Sequence, residues 1–224
     1  TGSAVAVVFC NKHDEENGES LLFAGPIGRL LCTATDSQAD YLDVLQNYLS
    51  DGYYLAGWVG YEFGAMLEER GFNARQKCMD KNAVLADFGI FPEPCRFDHF
   101  TGKNNFPLHE ELTIEGVDSR ISNLRPNMTK EEFVAALDVV QQYIAAGDTY
   151  QVNYTLKLLF DFEGSVEQLY SDLRRNQSVA YGAYIRNGQD RILSFSPELF
   201  FRKNCTEVTV RPMKGTAKRG FHGV

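Results

Sequence analysis

No stretch of this sequence approaches the roughly 18 consecutive apolar residues that a membrane-spanning helix needs. The apolar run Ala4–Cys10 has no basic segment before it and is too short for a signal peptide. Its five cysteines, at 10, 32, 78, 95 and 205, include no C-x-x-C pair. That argues against a disulfide framework and for scattered, buried thiols in a reducing cytoplasm. The four histidines, at 13, 99, 109 and 222, lack metal-ligand spacing, so a zinc site is not expected. Positive charge is also short: 22 lysines and arginines stand against 30 acids, a net charge of -8. An overall acidic chain disfavours nucleic acid or an anionic membrane as partner, and any anionic ligand must be held by a local basic site. There is no internal repeat, low-complexity tract or P-loop pattern.

What remains is a 224-residue chain with 44% hydrophobic and 23% charged residues, the balance of a globular protein with its own core. Ala4–Cys10, Ser20–Ala24, Tyr53–Val59, Val84–Phe91 and Cys95–Phe100 read as strands, and Ala39–Leu49 as a helix with apolar residues at 41, 42, 45 and 49. Trp58 with Tyr53, Tyr54 and Tyr61 reads as core. Residues 101–127 are polar and rich in turn formers, a linker or insert between 1–100 and 128–224. Thr129 with Glu132 fits a capping box, followed by an apolar stripe at Phe133, Val134, Leu137, Val140 and Ile144 and a closing Gly147. A long strand is expected over Tyr150–Phe160 and a short helix after Ser165. The strands Val179–Arg186 and Arg191–Phe195 would be joined at Asn187-Gly188, and a last strand, Thr206–Val210, follows. Strand runs broken by single helices point to a mostly antiparallel α+β fold.

Three segments have chemistry in them. Arg211, Lys214, Lys218 and Arg219 fall close together with no acid between them. Composition alone fits a solvated basic loop. The functional reading is a carboxylate or phosphate site in which neighbouring cations lower the pKa of Lys214 and free its amine as a nucleophile. Pro212 would stiffen the approach and Gly215 would let a ligand come near the backbone. In the second segment, Gln151, Asn153 and Thr155 alternate, so one face of a strand would carry three hydrogen-bonding groups, for solvent or for a ligand. In the third, Ser196-Pro197-Glu198 fits a simple turn as well as a site.

Together, "AAGDTYQVNYT", "SFSPELFF" and "RPMKGTAKRG" resemble the signature segments of the chorismate-utilising enzymes, in order and spacing, and "GWVGYEFG" and "FDHFTG" are similar to that family's N-terminal region. The lysine at 214, where anthranilate synthases carry alanine, resembles the aminodeoxychorismate synthase component I branch, including its fusions to a lyase. The resemblance implies two mostly antiparallel β-sheets packed face to face with helices outside, here incomplete. It implies amination of chorismate to 4-amino-4-deoxychorismate for para-aminobenzoate and folate synthesis, with ammonia from a glutamine amidotransferase (component II) and a magnesium ion whose ligands lie beyond this chain. Lys214 would be the catalytic nucleophile. Gly215, Thr216 and Arg211 would bind substrate, supported by Gln151, Asn153 and Ser196. The family's metal-binding and acid/base glutamates follow the lysine segment, so residues 1–224 alone are expected to be an inactive fragment. The other readings are an anthranilate or isochorismate synthase and, outside enzymes, a scaffold that docks an amidotransferase. The L-L-x-S segment that binds tryptophan in some relatives is not evident.

Overall fold

A computed structural model of the chain describes the backbone of residues 6–10 and, with side chains, residues 18–67 (those of Ala65 and Met66 apart), 80–106, 118–177 and 179–212. It is a mixed helix and sheet structure with several small sheets, and every strand pairing is antiparallel. The chain divides into two compact units, one of residues 1–111 and 173–224, the other of 112–172.

The larger unit holds β1 (Ala6–Cys10), β2 (Glu19–Phe23), β3 (Gly28–Thr33), α1 (Gln38–Ser50), β4 (Tyr54–Val59), α2 (Tyr61–Leu67), β5 (Val84–Phe91) and β6 (Cys95–Asp98). After the smaller unit it continues with β9 (Tyr181–Asn187), β10 (Asp190–Ser196), β11 (Leu199–Asn204) and β12 (Glu207–Arg211). One sheet has the order β10-β9-β1-β2-β6, another β3-β5-β4, and β11 pairs with β12. The central strand β5 is apolar almost throughout, as a strand with neighbours on both sides should be, and six of its eight positions are buried. Phe23 and Ile185 of the five-stranded sheet share one buried cluster with Ala56 and Phe91 of the three-stranded sheet. A second cluster joins Cys32, Leu85 and Ala86 of the three-stranded sheet to Tyr41 of α1 and Phe63 of α2. Burial raises the pKa of the Cys32 thiol, with a smaller push from Asp36. Tyr41 spends its hydroxyl on the carbonyl of Leu30, 3.0 Å away.

One polar residue interrupts β5. Asp87 is 5% exposed and accepts both arms of Arg29, at 2.8 and 2.7 Å, and the amide of Asn187. The Arg29 guanidinium is pinned in its charged form chiefly by that hydrogen bond. Asn187 lies at the end of β9, so the contact ties the two larger sheets together.

The smaller unit holds β7 (Arg120–Pro126), α3 (Lys130–Ala146), β8 (Leu158–Glu163) and the start of α4 (Val166–Asn176). The capping box at Thr129–Glu132 is formed in both directions, and Gly147 closes α3 at φ 83°. No residue of α3 is buried.

The structure departs from the sequence expectations at several points. The long strand expected from Tyr150 begins only at Leu158. β8 pairs with β7 from Pro126 onward, and past Asn127 the chain turns into α3, so residues 151–156 have no β7 backbone to pair with. Tyr61 is 80% exposed and Tyr54 only partly covered, its ring 6.4 Å from that of Phe23, while Trp58 packs on the first cluster. Cys205 is exposed, at φ 52° between β11 and β12, and is not a buried thiol. Strand β7 lies inside the stretch 101–127 read as linker.

Two outcomes follow for stability. A Cβ on Gly57 would sit 1.9 Å from the carbonyl oxygen of Asp87, so Gly57→Ala should cost at least about 2 kcal/mol in urea unfolding. Asp98 accepts hydrogen bonds from the Thr101 hydroxyl and the Phe100 and Thr101 amides, which lower its pKa below 3.8. Its stabilising contribution is therefore complete above pH 3.8 and fades as pH falls through the depressed folded value. Asp98→Asn should flatten that part of the acid limb of a stability profile and leave the neutral region unchanged in slope.

Candidate functional site

The basic segment is reached through the β11–β12 hairpin. Valine and aromatic side chains at 200, 201, 208 and 210 favour strands, and Cys205-Thr206 makes the turn. Arg211 closes β12 opposite Leu199 and is half-buried. Its guanidinium donates to the hydroxyl of Tyr181 at 3.4 Å. Tyr181 stands opposite Ser196 in the β9–β10 register, so Arg211, Tyr181 and Ser196 gather at one end of these strands. Sequence reasoning missed Tyr181. No signal in the expected Asn187-Gly188 turn gave it, because that turn would set Tyr181 across from Ser194; with the turn at Gly188-Gln189 and Asn187 paired to Asp190, Tyr181 falls across from Ser196.

Ser196 works locally. Its hydroxyl donates to the Glu198 carbonyl at 2.9 Å and accepts the Glu198 amide at 3.1 Å, closing the Pro197 turn. This turn borders two overlapping open clefts, of about 550 and 460 Å³. Both are lined by Ser196, Glu198, Leu199, Phe200 and Phe201, and Tyr181 and Arg202 line the second alone. Arg202, the hydroxyls of Tyr181, Ser194 and Ser196 and the Glu198 carboxylate stand beside apolar walls there, a mixed polar and apolar lining.

Gln151 and Asn153 are exposed, in the extended stretch before β8, and belong to the smaller unit, whereas Ser196 and Arg211 belong to the larger. Their alternation is not that of a paired strand. Lys214, Gly215 and Thr216 lie outside the described residues. Among the described residues no group of three or more His, Cys, Asp or Glu side chains comes together to hold a metal ion, and no helix is long and apolar enough to cross a membrane.

The family model of the chorismate binding enzymes matches residues 8–222. Aminodeoxychorismate synthase component 1 of Escherichia coli is 27% identical over 183 residues, 73% of this chain and 38% of the relative. The same component from Klebsiella aerogenes is 34% identical over 95 residues, 42% of this chain and 21% of the relative. Anthranilate synthase component 1 of Cereibacter sphaeroides is 34% identical over 105 residues, 47% and 21% respectively. The matched stretch is thus well under half the length of these curated relatives.

Ser196→Ala removes both bonds that close the Pro197 turn. Amide exchange at Glu198 should quicken by about an order of magnitude, with a global loss of about 1 kcal/mol or less.

Proposed function

Because this chain belongs to the chorismate binding enzyme family, we propose that the whole protein is an aminodeoxychorismate synthase component I, replacing the C4 hydroxyl of chorismate by an amino group. The observation that supports this branch is Lys214, in the Arg211-Pro212-Met213-Lys214-Gly215-Thr216 segment, where the anthranilate branch carries alanine. Arg211, Lys218 and Arg219 supply the positive surroundings that favour a neutral amine at Lys214 near pH 7.

In this reading the Lys214 amine forms a bond to C2 of the ring. The ring double bonds shift, the C4–O bond breaks, and the hydroxyl leaves as water with the proton that the amine gives up. Ammonia then bonds to C4, the double bonds shift back, and the C2–N bond breaks to return Lys214. Arg211 holds a substrate carboxylate, Gly215 lets the ring approach the backbone, and Thr216 faces the ring substituents. Gln151, Asn153 and Ser196 are supporting groups. The ammonia is drawn from glutamine through an amidotransferase partner, component II. Magnesium enters the proposal as a counter-ion to a chorismate carboxylate in the whole protein. The described residues offer it no cluster of three ligands. The complete fold of this reading is two antiparallel sheets packed face to face with helices outside.

An anthranilate synthase is the second reading, favoured by the 34% identity to the Cereibacter sphaeroides enzyme. Product analysis of the whole protein with chorismate and ammonia separates the two. 4-Amino-4-deoxychorismate is expected, and Lys214→Ala should lower its formation by about a hundredfold or more. Anthranilate as the product, or full activity in Lys214→Ala, rejects the proposal.

A further inference from the structure

The β9–β10 hairpin has two faces, and the turn at Gly188-Gln189 sets which residues share each of them. Ile185 and Ile192 stand across from each other and belong to the apolar cluster shared with the three-stranded sheet. Alternation along both strands sends the neighbouring cross-strand pair, Arg186 and Arg191, to the opposite face, away from that sheet. On its other side Arg186 stands across from Ala6 of β1, so its two cross-strand neighbours are an arginine and an alanine. The next pair on this outward face is Tyr184 with Leu193, and Tyr184 is buried.

Like charges directly across an antiparallel pair repel each other and weaken the pairing. The chain has 30 acids against 22 basic residues, so carboxylates that could neutralise these two arginines are plentiful. Yet the ion pairs among the described residues are Arg29–Asp87, Arg96–Glu19 and Arg125–Asp161, and neither Arg186 nor Arg191 enters one. Arg191 is held in another way. Its Nη1 donates to the carbonyls of Gly188 and Asp190, at 2.7 and 2.9 Å. Those bonds fix the head group on the turn, leave its charge uncompensated and keep its other nitrogens for a ligand. Both arginines are partly covered. The buried Tyr184 beside them lowers the local dielectric, so an anion here feels the two charges more strongly than at a fully solvated site.

We propose that Arg186 and Arg191 form a binding site for a small phosphate dianion, either inorganic phosphate or the terminal phosphate of a small metabolite. Two guanidiniums match two negative charges, and the tetrahedral oxygens accept from both forks at once. Arg191 supplies the donor already fixed in place, and Arg186 closes on the ligand from the adjacent strand. A single carboxylate would neutralise only one of the two cations. The site rests on the geometry of the hairpin and not on which chorismate reaction the whole protein performs.

The test is calorimetric titration of the whole protein with inorganic phosphate and with phenyl phosphate, at low ionic strength and about pH 7.5. Saturable binding of at least one of them is expected, and Arg186→Gln and Arg191→Gln should each weaken it by about tenfold or more. A phosphate monoester takes its second charge near a pKa of about 6, so affinity for phenyl phosphate should fall several-fold between about pH 7.5 and about pH 5. Inorganic phosphate binding as tightly as the monoester assigns the site to the free ion. Tighter binding of phenyl phosphate assigns it to a phosphorylated metabolite, and either result supports the proposal. No saturable binding by about 10 mM of either ligand overturns it. So does equal affinity at the two pH values, or binding that both substitutions leave unchanged, which would seat the phosphate on other basic residues. No described residue bonds to the Arg186 guanidinium. The unliganded thermal midpoint of Arg186→Gln should therefore stay level or rise as the repulsion is relieved, which separates a lost contact from a lost fold. Should Arg191→Gln lose the turn that its Nη1 holds, Arg186→Gln and Arg186→Lys still decide.

Discussion

A buried carboxylate in the middle of an otherwise apolar strand is the constraint around which the larger unit is arranged. An isolated charge at the depth of Asp87 would cost several kcal/mol, and the group is tolerated because three donors meet it. Two come from the neighbouring strand β3, and their bidentate fork fixes the register in which Leu31 stands across from Asp87. The third comes from Asn187, a hundred residues away in sequence and in the other sheet. A slip of either sheet by one residue would carry Asp87 or its donors to the wrong face and leave the charge unpaired. Apolar packing of Phe23, Ala56, Phe91 and Ile185 brings the sheets together. The polar contact specifies how they meet, since hydrophobic surfaces alone accept several registers.

That same requirement explains where the chain opens. Side chains committed to Asp87 cannot also fill the space beside it, and the strand ends around Asn187 diverge into the hairpin turn at Gly188, φ 58°. The result is a cleft with a satisfied ion pair, Arg29 with Asp87, as its floor. At the opposite end of the same two strands, Tyr181 and Ser196 meet Arg211 at the close of β12. The β9–β10 hairpin thus separates two polar ends by a run of apolar pairs, Ile185 with Ile192 and Tyr184 with Leu193. One end leads by sequence into the Lys214 segment. The other has no connection to it along the chain.

Much of this was legible beforehand, and for identifiable reasons. The capping box at Thr129, the glycine after α3 and the apolar run of β5 are local signals, written within a few residues, and each is found where the pattern puts it, whereas the turn expected at Asn187-Gly188 falls one residue later, at Gly188-Gln189, with Asn187 paired to Asp190. Strand β3, Gly28–Thr33, was missed. It exists because β5 offers it an edge. Strand β8 was overextended because alternation at Gln151, Asn153 and Thr155 looks the same with or without a partner, and here the partner strand has already turned away. Tyr61 looked like core by composition, but it starts α2 with its side chain in solvent. In each miss a tertiary fact, the presence or absence of a neighbour, outweighed the local preference.

The candidate chemistry divides along the same line. Family membership was legible because signature segments are contiguous strings, and string matching needs no geometry. The Arg29, Asp87 and Asn187 cluster was not legible, because its members are 58 and 100 residues apart and none sits in a motif. Nor was the role of Ser196, whose hydroxyl is occupied on both sides by the backbone of Glu198. A hydroxyl so engaged positions the turn and has no free proton to offer a ligand without breaking a bond that closes that turn. Any direct part for Ser196 in binding must therefore be weighed against the local order it supplies, whereas Tyr181, across the strand and touching Arg211, can orient that cation while keeping the turn intact.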